Sequence, residues 1–236
     1  MKEITIEKVS GILFINLETV GRVKNFKLLT PEKKEYWTET YDKSSFFNEK
    51  YESAEDAFNA RSSLYAEYGK IISLHMAYFD ERDGKTQLHS KVFSSIDEID
   101  ILKQFCKTVK AFNKICSYDG KRFDFPFLIK RLLINGIEIP EVINTKGKKP
   151  WEIQNIETLE LWQNGNTYYT SLELVCYELG IPLETKLSGE KVSEAFWNKD
   201  YDLIDNKCKD EGIANVRLWL KLNEFEDLLD QNILEK

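Results

Sequence analysis

Several common site chemistries are missing from this chain of 236 residues. It carries only two histidines, His75 and His89, and four cysteines, at 106, 116, 176 and 208. No two cysteines form a CxxC pair, and no His/Cys group has the spacing of a zinc site. That excludes a zinc ribbon or finger and leaves the thiols as reduced, buried or half-buried side chains. The opening MKEITIEKVS lacks the apolar core of a secretory signal, and no stretch approaches the roughly 18 continuous apolar residues of a membrane span. A cytoplasmic location with no membrane partner is therefore expected. An excess of positive charge is missing too: Lys and Arg number 33 against 40 Asp and Glu, a formal net charge of -7. The overall field does not draw nucleic acid, so any such binding needs a local basic patch or bound metal ions. There is no low-complexity linker and no internal repeat.

What is present suits one sizeable domain spanning 1–236. Hydrophobic residues make up 42% and charged residues 31%, enough apolar material for a core. The stretch ILFINLETVG (12–21) reads as a strand buried on both faces. IISLHMAYF (71–79) and TQLHSKVF (86–93), joined by a turn at ERDG, read as a hairpin. A helix is expected over 94–112, with Ser95 and Glu98 as a capping box. KICSYDG (114–120) reads as a short strand entering a glycine turn. Further helices are expected over 123–140, 170–182 and 201–230, and helical character also within 51–69. Strands alternating with helices predict an α/β class with a central mixed sheet flanked by helices.

Acids collect near the ends of these elements. Asn16 and Glu18 lie two apart at the exit of the first strand, so they share one face. Asp119 ends the short strand, Asp124 opens the next helix, and Asp210 and Glu211 lie on the late helix. Asp124 has a plain alternative as a helix-capping carboxylate. Glu18 is harder to explain so, because an acid after ILFI must find water, a cation or a donor. Carboxylates that converge repel unless a cation sits among them, and oxygen-only ligation favours Mg²⁺ or Mn²⁺, in pairs able to assist phosphodiester hydrolysis.

Four blocks carry a family resemblance: ILFINLET, SYDGKRFDFPFLIKRLLINGIEIP, GKKPWEIQNIETLELW and YTSLELVCYELGIP. Together they resemble the predicted 3′–5′ exonucleases related to the proofreading domain of family B DNA polymerases, within the DEDD (DnaQ-like) superfamily. The resemblance runs from about residue 10 to about 222, leaving 223–236 as a helical tail. It implies a ribonuclease H-like three-layer fold. It also implies hydrolysis of a single-stranded 3′ end of DNA, or of RNA, with two Mg²⁺ or Mn²⁺ ions, and a polymerase or repair assembly as a partner. The family's first motif is Asp-x-Glu, and here it reads Asn16 and Glu18. Its second is Asn-x-x-x-Phe-Asp, and here Asp119 replaces the Asn while Asp124 is kept. Its third is Tyr-Cys-x-x-Asp; with Cys208 in register, Lys207 stands at the Tyr and Glu211 at the Asp, and Asp210 is one residue out. The resemblance therefore implies a catalytic set of Glu18, Asp124, Glu211, Lys207 and Asn16. Metal ligands would come from Glu18, Asp124, Glu211, Asp119, Asn16 and Asp210.

Three readings of this altered pattern stand. The chemistry is lost and a binding module remains. Or the carboxylate missing at 16 has moved across to Asp119, the acid count is conserved, and Lys207 holds the water or the phosphate. Or Asn16 is an introduced substitution, which leaves Lys207 and Glu211 unexplained. Attenuated or re-routed activity stands slightly ahead of loss. For the substrate, Asp119, Lys121 and Arg122 lie beside the second motif, and Lys146, Lys148 and Lys149 form the densest basic cluster. Trp151 and Trp162 are candidates for base stacking, with core packing the commoner role of such residues.

Overall fold

A computed structural model describes residues 1–149, 152–185, 187–226 and 233–235. After a single helical turn, α1 (Ile6–Val9), the central strand β1 covers Ile12–Gly21, and β2 (Gly69–Arg82) and β3 (Lys85–Ser94) form the hairpin. Short strands β4 (Lys114–Ser117), β5 (Ile156–Glu157) and β6 (Ile233–Glu235) complete one six-stranded sheet in the order β5-β4-β1-β2-β3-β6. β2 is antiparallel to β1 and β3, whereas β4 and β5 run parallel to β1. The sheet is thus mixed, as expected for the α/β class.

Side-chain alternation along β1 sorts the two faces. Leu13, Ile15 and Leu17 pack into a core with α5 (Glu98–Val109) and α6 (Asp124–Ile134). Ile12 and Phe14 point the other way, onto Val216, Trp219 and Leu220 of the long helix α10 (Tyr201–Leu222). Phe14 and Trp219 meet edge to face at 5.6 Å between ring centroids. By the same period of two, Asn16 and Glu18 fall on the α10 face. The pairing of β1 with β2 shifts register between Glu18 and Thr19, a bulge just past the acid. Helix α10 lies close to the sheet at one point: a Cβ on Gly212 would stand 2.0 Å from His75 Nδ1 on β2.

Between β1 and β2 the polar, aromatic-rich segment folds as α2 (Pro31–Lys43), α3 (Ser45–Lys50) and α4 (Ala54–Arg61). They close around Trp37, which is fully buried against Phe47, Phe58, Tyr65 and Tyr68 and donates Nε1–H to the Ala54 carbonyl at 2.8 Å. The remaining helices are α7 (Thr158–Gln163), α8 (Leu172–Leu179) and α9 (Gly189–Asn198). Gly180, at φ +65°, ends α8 in the left-handed conformation that glycine adopts without strain.

Two expectations are corrected. The cap of α5 is Asp97, which accepts from Ile99 N at 3.0 Å; Ser95 sits earlier, and Glu98 turns inward to pair with Arg131. The C-terminal tail is not helical where it is described: α10 stops at Leu222, Phe225 bridges Lys2, and Ile233–Glu235 adds a strand beside β3. Residues 227–232 and 236 lie outside the described residues.

Candidate nuclease cleft

The first motif meets the third across the interface of β1 and α10. Lys207 and Glu211 are one helical turn apart and face β1 together. Lys207 Nζ stands 2.7 Å from Glu18 Oε1 and also donates to Glu211 Oε1. Lys207 is only 5% exposed and Glu18 6%. Asn16 Nδ2 donates to the Cys208 carbonyl at 3.2 Å and to Glu211 Oε2 at 3.3 Å. Both neighbours are acceptors, so only the amide NH₂ can face them.

One ammonium thus serves two carboxylates, and the group retains a proton. Burial raises the Glu18 pKa to about 8, against the pull of Lys207 and with the repulsion of Glu211. Burial works to lower the lysine, but the carboxylates of Glu18 and Glu211 outweigh it and hold Lys207 above its ordinary value.

The second motif enters from the end of β4. Asp124 opens α6, is buried, and accepts a short hydrogen bond from the Ser117 hydroxyl. Burial raises its pKa to about 7, Ser117 opposes that shift, and Glu157, Asp119 and Glu211 add to it. Asp119 holds a left-handed φ of 59°. That conformation directs the backbone N–H groups of Asp119 and Lys121 onto the buried Glu157 carboxylate, at 2.6 and 2.9 Å. Asn16, Asp119, Asp124 and Glu211 line one cleft of about 210 Å³, with Tyr118, Phe123, Tyr169 and Leu172 as its apolar wall.

The expected site residues distribute as follows. Glu18, Lys207, Glu211 and Asn16 form one hydrogen-bonded group, and Asp124 and Asp119 share the cleft with Asn16 and Glu211. The Asp119 carboxylate is already engaged, in a two-bond pair with Arg122 at 2.5 and 3.0 Å. Asp210 is turned away, beside Glu184 and Thr185. Lys207 is enclosed by the two glutamates rather than presented to a phosphate. Lys121 pairs with Glu160 at 2.5 Å, and both line a neighbouring depression that shares Asp119 with the cleft.

The basic cluster lies away from the cleft. Lys148 lines a separate depression with Asn113, at the opposite end of β4 from Ser117, and its Nζ pairs with Glu141 at 2.8 Å. Lys146 and Lys149 flank it on the same loop. Trp162 packs in the core with α8, and Trp151 lies outside the described residues.

Three contributors were not anticipated: Ser117, Glu157 and Tyr169. Tyr169 is 56% exposed at the mouth of the cleft, with the Arg122 guanidinium 5.1 Å from its ring centre. Paired tyrosines in the polar run NGNTYYTS were the available signal.

The residues do not fit the expected Mg²⁺ or Mn²⁺ ions. An ammonium holds the point between Glu18 and Glu211, Asn16 turns an amide NH₂ rather than an oxygen to the other Glu211 oxygen, and Asp119 is paired with Arg122. Among the described residues no three His, Cys, Asp or Glu side chains gather closely enough to hold an ion.

A mixed sheet in this strand order, covered by helices on both faces and with acids converging from β1, the β4–α6 turn and α10, is a ribonuclease H-like arrangement. The chain belongs to the family described as predicted 3′-5′ exonucleases related to the exonuclease domain of PolB, whose model matches residues 62–236. That match begins after Asn16 and Glu18, which reach the site through the pairing of β1 with β2. In structure the chain is similar to the family B DNA polymerase of the hyperthermophilic archaeon Pyrobaculum calidifontis, with a TM-score of 0.55 at 16% identity over 90% of this chain. The chain corresponds to 24% of that polymerase's length. No curated protein matches the chain. No helix among the described residues is long and apolar enough to cross a membrane.

Proposed function

We propose that the protein binds the 3′ end of a single strand of DNA, or of RNA, in this cleft, without divalent metal and with hydrolysis weak or absent. The observation that carries this reading is Lys207, buried between Glu18 and Glu211. Bare carboxylates would repel an incoming phosphodiester; one ammonium removes a full unit of that negative charge, so a phosphate can approach without an added cation. Tyr169 supplies an exposed ring on which a terminal base stacks, Arg122 stands beside that ring for the backbone, and Lys121 lies with Arg122 in the adjoining depression. The other arrangement, two-metal hydrolysis, needs oxygen ligands that Asn16 and the Arg122-paired Asp119 do not offer.

The experiment uses a short single strand labelled at its 5′ end. Fluorescence anisotropy in EDTA is expected to show binding, weaker for a strand whose 3′ hydroxyl is blocked. Electrophoresis after incubation with Mn²⁺ at enzyme excess is expected to show no ladder. Metal-dependent laddering, or binding abolished by EDTA, refutes the reading.

A further inference from the structure

Glu18 and Glu211 share a single cation, and that cation is part of the chain. Packing alone does not ask for an ammonium here, since a long aliphatic side chain on α10 would fill the same space. Charge does ask for it. Two carboxylates reaching one point in a buried setting are costly unless a cation or a proton lies between them. A lysine meets this need with N–O distances such as the 2.7 Å seen to Glu18. A hard divalent ion would meet it with shorter bonds to the same two oxygens. Both occupants claim the same position, so only one can be present.

We infer that Lys207 is a tethered competitor: its ammonium fills the point between Glu18 and Glu211, and its removal opens that point to a hard divalent cation such as Mg²⁺ or Mn²⁺. This rests on the reading of the cleft given under Proposed function. Asn16 forms the second half of the arrangement. Its NH₂ group faces Glu211 Oε2 and the Cys208 carbonyl, so it presents N–H hydrogens where a metal ligand would present an oxygen lone pair. An aspartate at 16 supplies a third carboxylate, but that carboxylate serves an ion only after the ammonium has left. The two substitutions are therefore non-additive: Asn16→Asp alone gains no metal site, Lys207→Met alone gains a weak one, and the pair gains a stronger one.

The test titrates Mn²⁺ alone into the wild type, both single variants and the double variant. Free Mn²⁺ is read by electron paramagnetic resonance, and the thermal midpoint is read in parallel. The wild type and Asn16→Asp are expected to show no saturable uptake. Lys207→Met is expected to bind at least about tenfold more tightly than the wild type, and the double variant about tenfold more tightly again, each raising its midpoint with Mn²⁺. Saturable uptake by the wild type or by Asn16→Asp comparable to that of the double variant overturns the inference. So does a folded double variant that takes up no Mn²⁺. If Lys207→Met folds only when Mn²⁺ is supplied, the inference holds, because the ion then does the work of the ammonium. If Lys207→Met and the double variant stay unfolded even with Mn²⁺, the ion cannot replace the ammonium and the inference falls. Oligonucleotide anisotropy in EDTA separates the two readings. A wild type that binds neither Mn²⁺ nor the strand refutes the proposed function and leaves the competitor role intact.

Discussion

Stability should fall as the solution is made alkaline, over a window set by two buried acids. Glu18 titrates at about 8 in the folded protein against an ordinary 4.5, and Asp124 at about 7 against 3.8. In both, the folded state holds a proton that the unfolded chain has already released. For a raised carboxyl pKa the stabilisation is complete below the unfolded value and is lost as pH climbs through the folded one. Each proton so retained changes stability by about 1.4 kcal/mol per pH unit. Between about pH 6 and about pH 9, Glu18 gives up the advantage of about two pH units of retained protonation, which costs about 3 kcal/mol, and Asp124 adds about 1 kcal/mol in the lower half of that window. Urea unfolding followed by tryptophan fluorescence at a series of pH values measures this directly. The midpoint should drop toward high pH with little change in slope against denaturant. Glu18→Gln, which copies the neutral acid, should remove most of the drop while leaving the protein folded. A wild type whose stability is flat or rises over the window refutes the argument, and a Glu18→Gln protein that keeps the whole drop refutes the assignment to Glu18.

Three further outcomes are expected. Glu98→Ala should destabilise by about 3–5 kcal/mol in chemical denaturation, because it strands the buried guanidinium of Arg131, now held by Glu98 at 2.5 to 3.1 Å. Gly212→Ala should cost about 2 kcal/mol in spite of alanine's better helix propensity, because the added methyl meets the His75 ring. Tyr169→Ala should weaken single-strand binding by about tenfold while leaving the thermal midpoint near that of the wild type, as expected for an exposed stacking ring.

The fold was largely legible because its strands declare their faces. Odd positions of β1 face α5 and α6 and even ones face α10, and the period of two alone puts Asn16 and Glu18 on one face. The family blocks then indicated which distant acids to look for. At several points position in the chain and position in space part company. Lys146, Lys148 and Lys149 are dense in sequence, yet the loop that carries them sits at the far end of β4. Asp210 is adjacent to Glu211, but one residue of helix is a turn of about 100°, enough to face Glu184 instead of the cleft. Lys207, a candidate to hold the water or the phosphate, is instead enclosed by two acids. Its spacing of four from Glu211 was the clue to an ion pair on one helix face. Glu157 and Ser117 act only through partners that the fold supplies, the N–H groups of Asp119 and Lys121 and the carboxyl of Asp124, and no local pattern announces them.

With no room for even a methyl between α10 and His75, the helix can ride at only one height above β2. Lys207 lies just over one turn upstream and inherits that height, so the reach of its ammonium is decided by a residue that touches neither substrate nor acid. A lesion at 212 would therefore pass for a simple folding defect in a mutational screen while also detuning the cleft.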